Sequence, residues 1–438
     1  MIKWGKKKLL FFFGVLLIAS TSTALWQFHQ NHTNVVSTDG ILTSPQVKAD
    51  AKQLVSIIES THPEFSLNDI PTGYAAAKKA FLAAASQRMS YDDFSWLAST
   101  YLTSLRDGHT SIGHTQSNET LSGSYRMTKS GLFEVDSKGN ITDKKVTAIG
   151  GIPVNKIFRT ISRYETAEND AAVIMNDTMW STYLPLLKRA GVDCTKRTIS
   201  ITENKGTKIS KKDVVVQSQS PYNVWQTNDI VDSRRIGDIF YIGLHECKTG
   251  TALDKTIDSL KQVINNGVTR VIIDVQNNPG GDSTACEKLL SAIGMQPPEY
   301  GMYVRKSPLA MAQRNGMVDW DANSKPNLST AKTNPHISLA VLTNEFTYSS
   351  ATMLDVFVQD GKLGTVIGYP SANSPSCYGD VLTFQLKNSG MKGQVSFKRW
   401  LRPDTNADQR ILHPDILVPI GGNTLQTAIK FLDRQKIC

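Results

Sequence analysis

Two hydrophobic periodicities divide the chain. Between Gln46 and Asp107 apolar positions recur at helical spacing. Leu54, Val55, Ile57 and Ile58 make one face, YAAAKKAFLAAA reads as a second helix, and Phe94, Leu97, Tyr101, Leu102 and Leu105 mark a third. From residue 110 to 235 short strand-like runs take over, among them LFEVD, VTAIGG, ISITE and DVVVQS, with helices expected near Val154–Ser162 and Thr178–Arg189. Beyond Arg235 strands and helices alternate. IFYIGL is a strand, LDKTIDSLKQVINNG a helix closed by glycine, RVIIDVQ a strand, Cys286–Met295 a helix, ISLAVLT a strand and SSATMLDVFVQD a helix. Apolar strands separated by amphipathic helices predict parallel strands joined by right-handed crossovers.

The pattern predicts a multidomain α/β protein. Residues 46–109 form a helical N-terminal domain, 110–235 a β-rich region, and 236–438 an α/β domain; a polar segment over 27–45 reads as a stalk. Ahead of the stalk, MIKWGKKK carries four lysines and LLFFFGVLLIA follows without a charge, so residues 1–26 read as a signal peptide or an uncleaved signal anchor. Ser22 and Ala24 satisfy a small-x-small cleavage rule, and residues 9–26 are just long enough to span a bilayer. Either way the rest of the chain is expected outside the cytoplasmic membrane, anchored to it or secreted.

Composition narrows the partners. Of the net charge of +9, four units belong to Lys3, Lys6, Lys7 and Lys8, and no basic run with interleaved aromatics occurs, so nucleic acid is not an expected partner. Cys194, Cys247, Cys286, Cys377 and Cys438 are scattered, with no spacing of a disulfide framework or a metal site, and read as small buried apolar residues. The chain lacks GxSxG, HExxH, GxxxxGK[ST] and GxGxxG, which argues against an α/β-hydrolase esterase, a zincin, an NTPase and a dinucleotide enzyme.

The chemistry concentrates in two βα units. VIIDVQNNPGGDSTACEKLLSAI places Gly280 and Gly281 at its turn, and LAVLTNEFTYSSATMLDVFVQD places Ser349 and Ser350 at the corresponding turn. Small residues at the carboxyl ends of parallel strands can present backbone N–H groups and a nucleophile to one crevice. By itself Ser349 could be an N-cap, and the glycines could simply permit a sharp turn. A serine at a helix N-terminus nevertheless gains from the positive end of the dipole, and the N–H of Ser350, with that of Gly280 or Gly281, could hold an oxyanion.

These segments resemble the serine peptidase family of the C-terminal-processing (tail-specific) proteases, tricorn protease and the chlamydial secreted protease. IDVQNNPGG is similar to the family's glycine turn, and NEFTYSSATML to the turn carrying its nucleophile. LRDGHTSI resembles the Asp-Gly-His segment of the tricorn-like branch, which implies His109 as the general base. Aligning ADQRILHPDI with the family's acidic segment implies Asp408 as the third, acidic member. The lysine of the tail-specific branch has Ser374 in its place, and Lys362 lies about one helix length from the serine, which favours a Ser-His-acid triad over a dyad. His114 and Asp415 are the nearest rivals of His109 and Asp408. The resemblance also implies a ClpP/crotonase-like catalytic domain and a PDZ-like element within 110–235.

The resulting expectation is an extracytoplasmic serine peptidase that hydrolyses peptide bonds through Ser349, His109 and Asp408, with an oxyanion hole from Gly280, Gly281 and Ser350. It would act on a peptide or protein substrate, without metal or organic cofactor. A non-catalytic protein binding peptides or hydrophobic ligands in the same crevice is the alternative.

Overall fold

A computed structural model describes residues 40–113, 117–225 and 227–435. The expected signal or anchor segment and His114 lie outside the described residues, and among those described no helix is long and apolar enough to cross a membrane.

Three helices, Ser44–Thr61, Tyr74–Ala84 and Tyr91–Leu102, open the fold. The third starts where Ser90 accepts a hydrogen bond from the Asp93 N–H, with Asp92 and Asp93 complementing the positive end of the dipole. Phe81 and Tyr101 stack with ring centroids 4.8 Å apart. Ile41–Leu42 pairs antiparallel with Met89–Ser90, so the end of the expected stalk belongs to the folded unit. This helical segment has no core of its own: Leu54, Ile58, Phe94 and Leu105 pack with Leu382, Val395 and Phe397 from the far end of the chain.

Residues 119–218 build a seven-stranded antiparallel sheet. Its order is Glu119–Leu121, Lys208–Ser218, Thr198–Lys205, Ile141–Ile149, Gly131–Val135 and Ser124–Thr128, with Ile152–Pro153 pairing Ile141–Ile149. Helices Val154–Tyr164, Asp170–Trp180 and Leu184–Ala190 cover it. The last two replace the single helix expected over Thr178–Arg189. Asn169 caps the first by accepting from the Ala172 N–H, and Pro185, which lacks an N–H, sits in the first turn of the second.

The α/β unit carries a six-stranded sheet ordered Val231–Ile236, Ile239–Leu244, Arg270–Asp274, Ser338–Thr343, Thr365–Gly368 and Ile416–Leu417. All neighbours run parallel except the first pair. Helices Thr251–Asn265, Thr284–Ala292 and Ser350–Asp360 pack on one face around Val271, Ile273, Val341 and Leu354, and Thr424–Arg434 covers the other. Burial on both faces explains why these strands read as apolar runs rather than alternating ones.

A further antiparallel sheet was not legible in the pattern. Gly301–Val304, Lys392–Leu401 and Cys377–Gln385 form it, and Ser111–Ile112 pairs with Lys392–Leu401 through Gly393 and Gln394. That short pairing carries the Asp-Gly-His segment into the C-terminal half of the molecule.

Candidate active site

The strand Ser338–Thr343 ends in a turn whose polar atoms satisfy one another. Asn344 N–H donates to Thr347 Oγ1 at 3.0 Å, Thr347 Oγ1 donates to the Val275 carbonyl at 2.9 Å, and Phe346 N–H donates to Asn344 Oδ1 at 3.0 Å. This network delivers the chain to Ser349 at φ 53° and ψ −126°, directly before the helix Ser350–Asp360. A positive φ at a non-glycine residue costs on the order of 1–3 kcal/mol and persists only where its surroundings enforce it. Here it lifts a half-buried serine out of the line of both strand and helix, as a strand-to-helix nucleophile turn does.

The glycine turn lies against this serine. Asn278 is fully buried; its Nδ2 donates to the Leu244 carbonyl at 2.8 Å and its carbonyl accepts from Tyr348 N–H at 2.9 Å. Gly280 takes φ 100° and Gly281 φ 137°, conformations that L side chains avoid. A Cβ on Gly280 would stand 2.5 Å from Ser349 Cβ and 2.8 Å from the Tyr348 carbonyl oxygen. Ser350 Oγ donates to the Gly281 carbonyl at 2.7 Å and ties the two turns together. Gly280 N–H is committed to Asn278 Oδ1 at 2.8 Å. Among the described hydrogen bonds neither Gly281 N–H nor Ser350 N–H is used, so these two donors remain for an oxyanion.

His109 is buried, with the described hydrogen bonds leaving both ring nitrogens unpartnered. Its N–H donates to Asp107 Oδ1 at 2.9 Å, and its carbonyl accepts from Gln394 Nε2 at 2.9 Å. The ring lies against Tyr348, the neighbour of Ser349, with centroids 5.0 Å apart. Gly108 allows this approach, since a Cβ there would meet Tyr348 Oη at 2.1 Å. The hydrogen bond between His109 and Ser349 is not closed in this structure; such bonds often tighten only when substrate is present.

Two carboxylates converge on His109 Nδ1, and neither is Asp408. Asp107 Oδ1 stands 3.8 Å away and Glu168 Oε1 4.0 Å. Burial alone would raise the Asp107 carboxyl. Its hydrogen bond from His62 Nε2 at 3.1 Å, the charges of His62 and His109, and the Thr110 hydroxyl hold it below the usual carboxylate range instead. Ser396 Oγ also donates to it, at 2.7 Å. Glu168 accepts from Gly108 N–H at 3.1 Å, Tyr348 Oη at 2.9 Å, and Asn373 Nδ2 and Ser374 N–H at 2.8 Å each. Ser374, at the place of the tail-specific lysine, thus contributes a backbone donor, and Lys362 is exposed beyond the serine's helix.

Asp408 is placed differently from the expectation. It is exposed and closes its own turn, accepting from Arg410 N–H at 2.8 Å and Ile411 N–H at 3.2 Å, bonds that hold its carboxyl below the ordinary value. Sequence alignment could place it near the Pro-Asp-Ile segment, but the turn faces solvent. Asp415, its rival, accepts from Val366 N–H at 2.8 Å and Gln359 Nε2 at 3.1 Å and splices strand to helix. Glu168 carried no motif signal: it lies between two helices of the β-rich region, whose core also receives Phe346, Tyr348 and Ala372. His62 is buried against Asp107 and carried no motif signal either. Asp107, His109 and Glu168 also hold ligand-type atoms within 4.8 Å of one another. Both Glu168 oxygens already accept two donors each, which suits orienting a histidine better than coordinating a cation.

A strained serine, a buried histidine flanked by carboxylates and two N–H groups without a described partner are the parts that a serine-type peptidase site needs. The model of peptidase family S41 matches residues 238–418 of the chain. The chain's fold is similar to that of mature CPAF, at 14% identity and a TM-score of 0.64 over 90% of this chain and 96% of that one. Mature CPAF complexed with lactacystin gives the same identity and TM-score, over 90% and 98%. No curated protein matches the chain.

Proposed function

We propose that the protein hydrolyses peptide bonds with Ser349 as nucleophile and His109 as general base. His109 takes the Ser349 proton as Oγ attacks the carbonyl carbon, and Gly281 and Ser350 N–H groups stabilise the oxyanion. His109, now charged, is held by Asp107 and Glu168 and returns the proton to the leaving amine; water then hydrolyses the acyl-enzyme by the same route. The orienting acids are therefore Asp107 and Glu168 rather than Asp408. The observation that carries the reading is the strained Ser349 backbone packed on Gly280 beside unused N–H donors. The enzyme domain would work outside the cytoplasmic membrane, held or exported by residues 1–26; a C-terminal reporter active only outside the cytoplasm should be active, and a silent one would refute that location.

The test of the chemistry is labelling of the full chain with a fluorophosphonate, followed by peptide mapping. A covalent adduct on Ser349, lost in His109→Ala, is expected. A folded protein that takes no label at Ser349 would leave only a binding scaffold.

A further inference from the structure

Cys247 and Cys286 are 39 positions apart, yet their sulfurs lie 3.6 Å from each other and both side chains are buried. Cys247 N–H donates to the Gly280 carbonyl at 2.9 Å, and its carbonyl accepts from Asp282 N–H at 2.7 Å, so Cys247 splints the glycine turn from outside. Cys286 lies in the helix Thr284–Ala292 that leaves this turn, with its Sγ 3.5 Å from the Ser350 carbonyl. The two thiols therefore sit between the glycine turn and the start of the serine's helix. Cys194 and Cys377 have no comparable sulfur neighbour among the described residues; Cys194 Sγ lies 3.9 Å from the Leu184 carbonyl.

We propose that Cys247 and Cys286 are a disulfide-forming site that locks the glycine turn onto the helix behind it. Sulfurs already in van der Waals contact must close by only about 1.5 Å to reach a bond length of about 2.05 Å. The oxidant is another disulfide, either a small one or one carried by a thiol–disulfide oxidoreductase. A thiolate from one cysteine attacks it, making a mixed disulfide and expelling one thiolate. The second cysteine's thiolate then attacks the protein sulfur of the mixed disulfide, forms the Sγ–Sγ bond and expels the other thiolate. Two electrons pass to the oxidant, and the two cysteine protons end on the released thiols. Contact with Cys247 and then burial push the Cys286 thiol up. Exchange therefore runs on chains whose turn is still open, during folding or in local opening. The bond does not depend on the peptidase reading, although its location makes the position of Gly281 N–H depend on it.

The test is made on the full chain, refolded with and without oxidised glutathione, denatured, alkylated and mapped by mass spectrometry. A Cys247–Cys286 cross-linked peptide, cleaved by a phosphine reductant, is expected in the oxidised sample. Closing this loop should raise the melting temperature by roughly 5–15 °C over the reduced protein, and Cys247→Ser or Cys286→Ala should abolish the rise. Complete alkylation of both thiols after oxidative refolding would overturn the proposal, as would a cross-link that lowers the melting temperature.

Discussion

Gly280 packs so tightly on Ser349 that a Cβ at the glycine would lie 2.5 Å from the serine's Cβ. The contact joins the ends of two parallel strands, Arg270–Asp274 and Ser338–Thr343, and fixes where a carbonyl attacked by Ser349 could sit. It also accounts for a strained serine turn between strand and helix without GxSxG: the close approach is granted by a glycine on the adjacent strand's turn.

Gly280→Ala should therefore damage both stability and rate. The positive φ alone costs about 1–3 kcal/mol for a residue with a Cβ, and the clash must move Ser349 or the Tyr348 carbonyl. Displacing an oxyanion donor should lower kcat by about 10²-fold or more. Gly267, at φ 90° with open space around its Cβ position, is the control. Gly267→Ala should lower the melting temperature and leave kcat unchanged. Equal kinetic effects of the two substitutions would show that the Gly280 contact has no bearing on the site.

Glu168→Gln should keep the side chain's volume while removing a charge from beside His109 Nδ1 and leaving two of its four donors without an acceptor. A loss of kcat on the order of 10²–10⁴-fold with KM little changed is expected, as for other neutralised orienting carboxylates. Asp408→Asn should change kcat by less than about twofold and cost at most about 1 kcal/mol of stability as a turn cap is weakened. The reverse ranking in steady-state kinetics would restore Asp408 as the acid.

Stability should fall as pH rises from mildly acidic to mildly alkaline. Burial, with the charges of Asp107 and Asp69 added, pushes the Glu64 carboxyl up to about 8; burial pushes Asp177 up to about 7 and Asp274 up to about 6. These groups hold protons in the folded chain that the unfolded chain releases. Their contribution is thus fully present below the ordinary carboxylate range and lost as pH climbs through the raised values. Asp107, held low, acts oppositely: its contribution is present above the ordinary range and lost below it. Thermal melts should peak near about pH 4–5 and drop by several degrees towards about pH 8. A melting temperature that climbs steadily to pH 8 would contradict the raised carboxyls.

The periodicity of the sequence sufficed for the helices that open the chain and for the buried parallel strands, because helix and strand repeats are local properties of adjacent residues. The turns that hold Ser349 and the Gly280–Gly281 pair were legible for the same reason: strand, turn and helix follow one another within a few residues. The β-rich region and the sheet of Gly301–Val304, Cys377–Gln385 and Lys392–Leu401 were less so, since antiparallel partners are set by pairing across the chain. Tertiary structure alone decided the surroundings of His109. Glu168 arrives from the loop between two helices of the β-rich region, His62 from the first helix's end and Ser396 from near the other terminus, and no spacing records those distances. The same holds for the choice between Gly280 and Gly281, which turned on one side chain, Asn278, claiming the first N–H. Local hydrogen bonding and apolar period are written along the chain; the meeting of buried charges is written only in the packing that shields them from water.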